Sequence, residues 1–481
     1  MTPDNPTPHT TPPTLPLRET LESLPPAWPD DPLPEIRRLL HERAATTVVL
    51  DDDPTGTQTV ANVPVLTTWT TAALQRELAV GTPTIFVLTN SRSLDRQNAE
   101  HLARELGAKL RAASLASGRR FRLLSRSDST LRGHYPCEVA AVAEAAGCDQ
   151  APHLVVPFFE EGGRHTLHGV HYVAEDDRLV PAAETPFASD ASFGFRHSRL
   201  TDWVAEKFAA EGRPTPPLQT LSLEDLRHGG PAVVQQRLEA LPDRSVCVSD
   251  AISNRDAEVL ALAVLRAEAN GRPLLVRTAA GLVRPLAGQS LHALLSGRDL
   301  IDPTAAAGLV VAGSYVPKTT QQLDALQTDA ARRGLPLATV SLEVDRLLAG
   351  EAEAQRAAAE TQRHIAAGTH VLLRTSRQLV TGRDAFESLS IGRRVSEAVV
   401  EAVAGVQAPL RFLIAKGGIT SSDIATKALG IGRAVVEGQL LPGVPVWRAG
   451  PESRRPNLAY IIFPGNVGSP TALADAFRML A

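Results

Sequence analysis

The chain has 481 residues, 43% hydrophobic and 21% charged, with 49 Lys and Arg against 53 Asp and Glu for a formal charge of −4. That length exceeds one ordinary core and predicts two or three domains, while a balanced charge without a basic block or aromatic-basic stripe excludes nucleic acid as a natural partner. Three cysteines (Cys137, Cys148, Cys247) without CxxC spacing exclude a disulfide framework and a zinc knuckle; no 18-residue apolar run spans a membrane, so no membrane partner and a cytoplasmic location are expected.

Residues 1–34 hold eleven of the 36 prolines and no periodic apolar face, and read as a Pro-rich disordered arm. From Glu35 onward, apolar strands at 46–50, 84–88, 121–124, 153–157, 245–249 and 273–277 alternate with helical stretches at 94–115, 134–146 and 256–269. This alternation predicts a largely parallel α/β sheet. The interval 174–243 is less regular and has room for a subdomain or cap. A second series opens at Gly308, with a helix over 318–333, strands at 337–342, 369–374 and 411–416, β-rich segments at 432–448 and 458–466, and a short final helix. The expected fold is α/β, with two α/β lobes (35–290 and 305–481), largely parallel sheets and a ligand cleft between them.

Open α/β sheets bind ligands beyond the carboxyl ends of their strands, so the residues following each strand are the informative ones. In the first lobe these are Asp51-Asp52-Asp53-Pro54-Thr55-Gly56, then Thr89-Asn90-Ser91-Arg92, then Arg126-Ser127-Asp128-Ser129-Thr130-Leu131-Arg132, then a loop with Gly162-Gly163-Arg164. An Asp after a strand is also a common helix N-cap. Four polar strand ends together point instead to a small, polar, anionic ligand. Arg92 and Arg132 offer planar forks to a carboxylate or phosphate, and the aspartates suit sugar hydroxyls, a catalytic proton or a metal.

The second lobe places Gly313-Ser314, Gly417-Gly418 with Thr420, and Gly465-Asn466-Val467-Gly468 between strands and helices. Such turns leave backbone N–H groups free to cradle phosphates. No P-loop or dinucleotide fingerprint is present, which disfavours a dehydrogenase. His165, His168 and His171 recur every three residues, but Gly169 breaks a helix there and scatters the imidazoles. Metal ligands stay unassigned.

In order along the chain, "DDPTG", "TNSRSL", "RSDSTLRGH", "VVPFFEEGGRHTLHGVHYV", "VAGSYVPKTTQQL", "KGGITSSDIATKALG", "LLPGVPVWR" and "IFPGNVGSPTAL" resemble the four-carbon acid sugar kinases from about residue 45 to the C-terminus. The resemblance implies an N-terminal lobe for a sugar acid, a C-terminal lobe for ATP with Mg2+, and phosphorylation of the 4-hydroxyl of threonate, erythronate or 3-oxo-tetronate. It implies acid contacts at Asp52, Asp53, Arg92, Arg126, Ser127, Asp128 and Ser129, beside the Arg132 reading above. ATP contacts follow at Ser314, at Gly417, Gly418, Ile419 and Thr420, and around Gly465, Asn466 and Gly468. Asp128 first and Asp52 second are the expected proton acceptors.

The chain departs from the family in having Arg126 where Lys is frequent, Pro54 for Leu and Ile419 for Glu. A guanidinium does not exchange protons as an amine does, so Arg126 is expected to anchor substrate only. Ile419 removes a carboxylate. A non-catalytic sugar-acid or nucleotide sensor on the same lobes is the alternative function. A homodimer is compatible with this reading.

Overall fold

The computed structural model describes residues 11–43, 45–313, 317–376, 385–465 and 467–481, with backbone only for 385–389. The fold is mixed α/β, and the chain divides into two compact units. One comprises the chain up to Arg43 with Ser127–Gly288; the other comprises Ala44–Arg126 with Gln289–Ala481. Residues 44–126 therefore cluster with the second α/β series. Pairing explains this: the strand Val63–Leu66 runs antiparallel to Arg433–Leu441, with Val65 opposite Ala434.

In the first unit, the strands Leu218–Leu221, Val246–Ser249, His153–Val156 and Leu275–Thr278 pair in parallel in that order. Apart from the edge strand Leu218–Leu221 they are almost wholly buried, as expected of short β-branched runs in a parallel sheet. The helix Asn254–Ala269 starts at a capping box, in which Ser253 and Asp256 satisfy each other's backbone N–H groups. Within the irregular interval, Arg178–Pro181 pairs with Val170–Glu175, and that strand with Arg164–Leu167, in a separate antiparallel sheet.

Residues 11–34 correct the expectation of disorder. Leu15–Pro16 adds an edge strand to Arg178–Pro181, and a helix spans Leu17–Ser23. The Trp28 ring lies against Gly230, the Pro25 carbonyl accepts from Arg227 Nη1 at 2.5 Å, and Asp31 pairs with Arg255 at 3.2 Å. The next helix, Leu33–Arg43, buries Ile36 and packs on Asn254–Ala269, with Glu35 gripped by both Nε and Nη2 of Arg266. Prolines remove backbone donors but not tertiary contacts, so composition misread a strap as a free arm. Trp28→Ala is expected to lower unfolding free energy by about 1–3 kcal/mol, read by denaturant titration; an unchanged midpoint would mean the strap contributes nothing.

In the second unit, Phe121–Arg126, Thr46–Asp51, Thr84–Leu88 and Val63–Leu66 form one parallel block. Leu410–Lys416, Ala307–Ala312, His370–Thr375 and Leu337–Leu342 form another, with Ala459–Phe463 parallel to Leu410–Lys416. The antiparallel hairpin of Arg433–Leu441 and Val444–Ala449 joins the two blocks. Val310, Leu372, Phe412, Ile461 and Phe477 are fully or almost fully buried in the core of the second block.

Candidate functional site

Within the second unit, the parallel register sets Asp51 opposite Arg126 on one side and Leu88 on the other. The Arg126 guanidinium donates to Asp51 Oδ1 at 3.1 Å and lies 3.6 Å from Asp52 Oδ1, all three side chains being buried. Burial pushes the Asp51 carboxyl up to about 8 against the pull of Arg126, and the charges of Asp52 and Asp53 add to the rise. Gly56 is required here: a Cβ on it would fall 2.1 Å from Asp51 Oδ1. Asp53 caps the following turn, Pro54–Thr59, through the Thr55 N–H at 2.8 Å, and its other oxygen is bound by Arg92. Burial opposes the charge on Asp53, but Arg92, Thr55 and Arg126 outweigh it and hold that carboxyl below the usual range.

Asp53 also meets the glycine turn. A Cβ on Gly418 would lie 2.7 Å from Asp53 Oδ2, so only glycine lets the turn and the carboxylate approach this closely. The structure thereby brings a residue expected to hold sugar acid against one expected to hold nucleotide, inside a single compact unit. Thr420 Oγ1 lies 3.0 Å from where a Gly313 Cβ would stand, and the Gly417 N–H donates to the Phe463 carbonyl at 2.8 Å, drawing three strand ends together. Gln322 holds the turn around Gly468 by donating to the carbonyls of Val467 and Ser469. Ile419 is 63% exposed. Ser314 and Asn466 lie outside the described residues.

Beside this junction is a cavity of about 530 Å³, lined by Trp69, Thr89, Asn90, Ser93, Ser422 and Asp423 among others. The strand end of Thr84–Leu88 and the helix after Gly418 thus share one hydroxyl-rich hollow of small-molecule size.

In the first unit, Asp128 stands at the head of a loop whose turn it caps by accepting the Thr130 N–H at 3.0 Å. Its two oxygens take the Arg132 fork at 2.9 and 3.1 Å, and Arg132 also reaches Asp190 at 3.3 Å. Ser127 Oγ accepts from Arg277 at 2.9 Å. His171 donates from Nε2 to the Ser129 carbonyl at 2.8 Å, while its Nδ1 accepts from Thr166 at 3.0 Å. His165 is bonded to the Ile252 carbonyl, and the His168 N–H donates to Asp250. The three histidines sit on and around the Arg164–Leu167/Val170–Glu175 hairpin and have separate tasks. Among the described residues no group of three or more His, Cys, Asp or Glu is arranged to hold a metal ion.

Burial drives His153, His171 and His370 down to about 4. Their folded pKa lies below the ordinary value of 6.5, so the unfolded chain takes up these protons first. The stability they allow is whole above pH 6.5 and is lost as pH falls toward 4. His171→Gln is expected to raise the denaturant midpoint at pH 5 relative to that at pH 7.5, compared with the wild type; the same pH dependence in both proteins would contradict the burial argument.

Two residues escaped the sequence reading. Arg277 is buried in the strand Leu275–Thr278, and its guanidinium lies 5.1 Å from the Tyr135 ring centre. Lys416 ends the strand Leu410–Lys416 with no exposed surface. A lone cation at the end of an apolar run, "PLLVR" or "FLIAK", was the available signal.

Polar strand ends around a small hollow, with glycine turns beside them, lie where open α/β sheets bind small polar ligands. A sugar-binding N-terminal domain model matches residues 47–286, and a nucleotide-binding C-terminal domain model matches residues 309–473. The chain belongs to the four-carbon acid sugar kinase family. A D-threonate kinase of Bordetella bronchiseptica is 28% identical over 407 residues, covering 83% of this chain and 88% of that protein. Another, of Cupriavidus necator, is 29% identical over 331 residues, covering 68% and 72%. Among solved structures, a Salmonella typhimurium LT2 protein shares the fold with a TM-score of 0.66 at 18% identity, over 90% of this chain and 99% of that one. A Haemophilus influenzae protein does so with a TM-score of 0.59 at 18% identity, over 90% and 100%. No helix among the described residues is long and apolar enough to cross a membrane.

Proposed function

We propose that this protein is an ATP-dependent kinase that phosphorylates the 4-hydroxyl of a four-carbon sugar acid, with D-threonate the first candidate and erythronate and 3-oxo-tetronates next. The approach of Asp53, which Arg92 binds, to Gly418 carries the reading, because a phosphoryl acceptor and donor have to meet at one place. The names of the two curated relatives and the nucleotide-binding match over 309–473 support it.

In this reading Arg92 orients the carboxylate of the acid and Asp52 its hydroxyls. Bound ATP with Mg2+ supplies the γ-phosphoryl group and charge neutralisation at the transferring oxygens. The glycine turns at Gly313, Gly418 and Gly465 present backbone N–H groups to the phosphates. The 4-hydroxyl oxygen forms a bond to the γ-phosphorus as the bond to the ADP oxygen breaks, and the hydroxyl proton passes to a carboxylate. Asp128 is the first candidate for that acceptor and Asp52 the second.

The test is ADP release by the purified full chain, with ATP and Mg2+, over a panel of tetronates and 3-oxo-tetronates, with the product checked by mass. A gain of one phosphate on one panel member is the expected result. Binding of acid and nucleotide without any such product would favour a sensor instead.

A further inference from the structure

We propose that Lys416 is a positioning residue of the nucleotide site, locking the Pro464–Gly465 peptide so that the Gly465 N–H is turned outward to a phosphate oxygen. The proposal deepens the kinase reading and rests on it. Lys416 is 0% exposed at the end of its strand, directly before Gly417. Its Nζ donates to the carbonyls of Pro464 at 2.7 Å and Gly465 at 3.0 Å, and lies 4.6 Å from the Phe463 ring centre. Among the described residues, no carboxylate forms an ion pair with it. Burying an ammonium without a counter-charge is costly, and an apolar side chain would fill this place without that penalty. Burial and the nearby Lys318 charge bring its pKa down to about 7.

The geometry says what the lysine does there. The Pro464–Gly465 peptide is trans, so its C=O and N–H point in opposite directions. With the carbonyl drawn inward to Lys416, the Gly465 N–H faces away from the ammonium, and no protein acceptor takes it among the described residues. The space next to Gly465 is open, since a Cβ built there would have no heavy atom within 4 Å. A rigid outward N–H beside open space, backed by a buried positive charge, is matched to an anionic oxygen. The Gly417 N–H to Phe463 carbonyl bond ties this turn to the Gly418 turn, so one lysine holds two of the glycine turns in register.

Lys416→Met removes charge and donors at nearly constant volume, whereas Lys416→Gln restores an amide donor. Calorimetric ADP binding and steady-state kinetics on the full chain are the measurements. The Met variant is expected to weaken ADP binding and raise KM for ATP at least tenfold, with KM for the acid within twofold, and the Gln variant to recover part of the loss. A folded Met variant that binds ADP like the wild type overturns the proposal. If the Met variant does not fold, the same measurements on Lys416→Ala decide, and wild-type ADP affinity and KM for ATP there overturn it equally. Wild-type protein that binds ADP but phosphorylates no tetronate defeats the kinase reading alone; wild-type protein that binds no ADP defeats both.

Discussion

Asp128→Asn is expected to lower kcat for the phosphorylated tetronate by about 10²–10⁴-fold, the usual range for loss of a general base, while KM for the acid moves less than about threefold. The size of the split follows from what Asn keeps. Asn caps a turn as well as Asp does, so the Thr130 N–H retains its acceptor and the loop its shape. One acceptor oxygen stays for the Arg132 fork. What Asn lacks is a site that takes a proton from a hydroxyl. The Arg132 fork and Thr130 engage both carboxylate oxygens of Asp128, whereas Asp52 is buried beside Arg126. The parallel variant Asp52→Asn therefore ranks the two carboxylates. If Asp128→Asn keeps near-normal turnover and Asp52→Asn loses it, the proton acceptor is Asp52 and Asp128 is a loop cap.

Arg126→Met is expected to cost about 3–5 kcal/mol of unfolding free energy, the usual penalty for removing one partner of a buried ion pair. The guanidinium donates to Asp51 and lies beside Asp52, and without it both buried acid groups lose that partner. The double variant Arg126→Met, Asp51→Asn is expected to regain much of that loss, because the buried donor and the acid group it binds are removed together. Denaturant titration of the three proteins is the check; a double variant no more stable than the single one would show that Asp51 is not the group Arg126 neutralises. Arg126, expected from sequence as a substrate anchor, is thus engaged by Asp51 and Asp52 within the fold. Asp51 belongs to the same charge cluster as its neighbours.

Much of the secondary structure was readable. The strand at 46–50 appears as Thr46–Asp51 and the helix at 318–333 as Pro317–Arg333, because short β-branched runs and 3.6-residue apolar spacing depend only on near neighbours. The helix read from 134 starts instead at Cys137, after Pro136, where a missing N–H costs least. The strap at 11–34 was misread, since Trp28 and Asp31 find their partners about two hundred residues away, at Gly230 and Arg255.

By itself the sequence determined which residue types close each strand: acids, arginines and hydroxyls at 51–53, 89–92 and 126–132, and glycines at 313, 417–418 and 465–468. Those follow from local pattern and the rule that parallel sheets bind ligands at their carboxyl ends. Only the tertiary structure decided which of them meet. Strand pairing between Val63–Leu66 and Arg433–Leu441 carries residues 44–126 into the unit that holds the glycine turns, and so brings Asp53 against Gly418. It likewise buried Lys416 under the Pro464 and Gly465 carbonyls. Pairings across nearly four hundred residues leave no local trace in the chain, because the hydrogen bonds and the packing that select them belong to both partners at once.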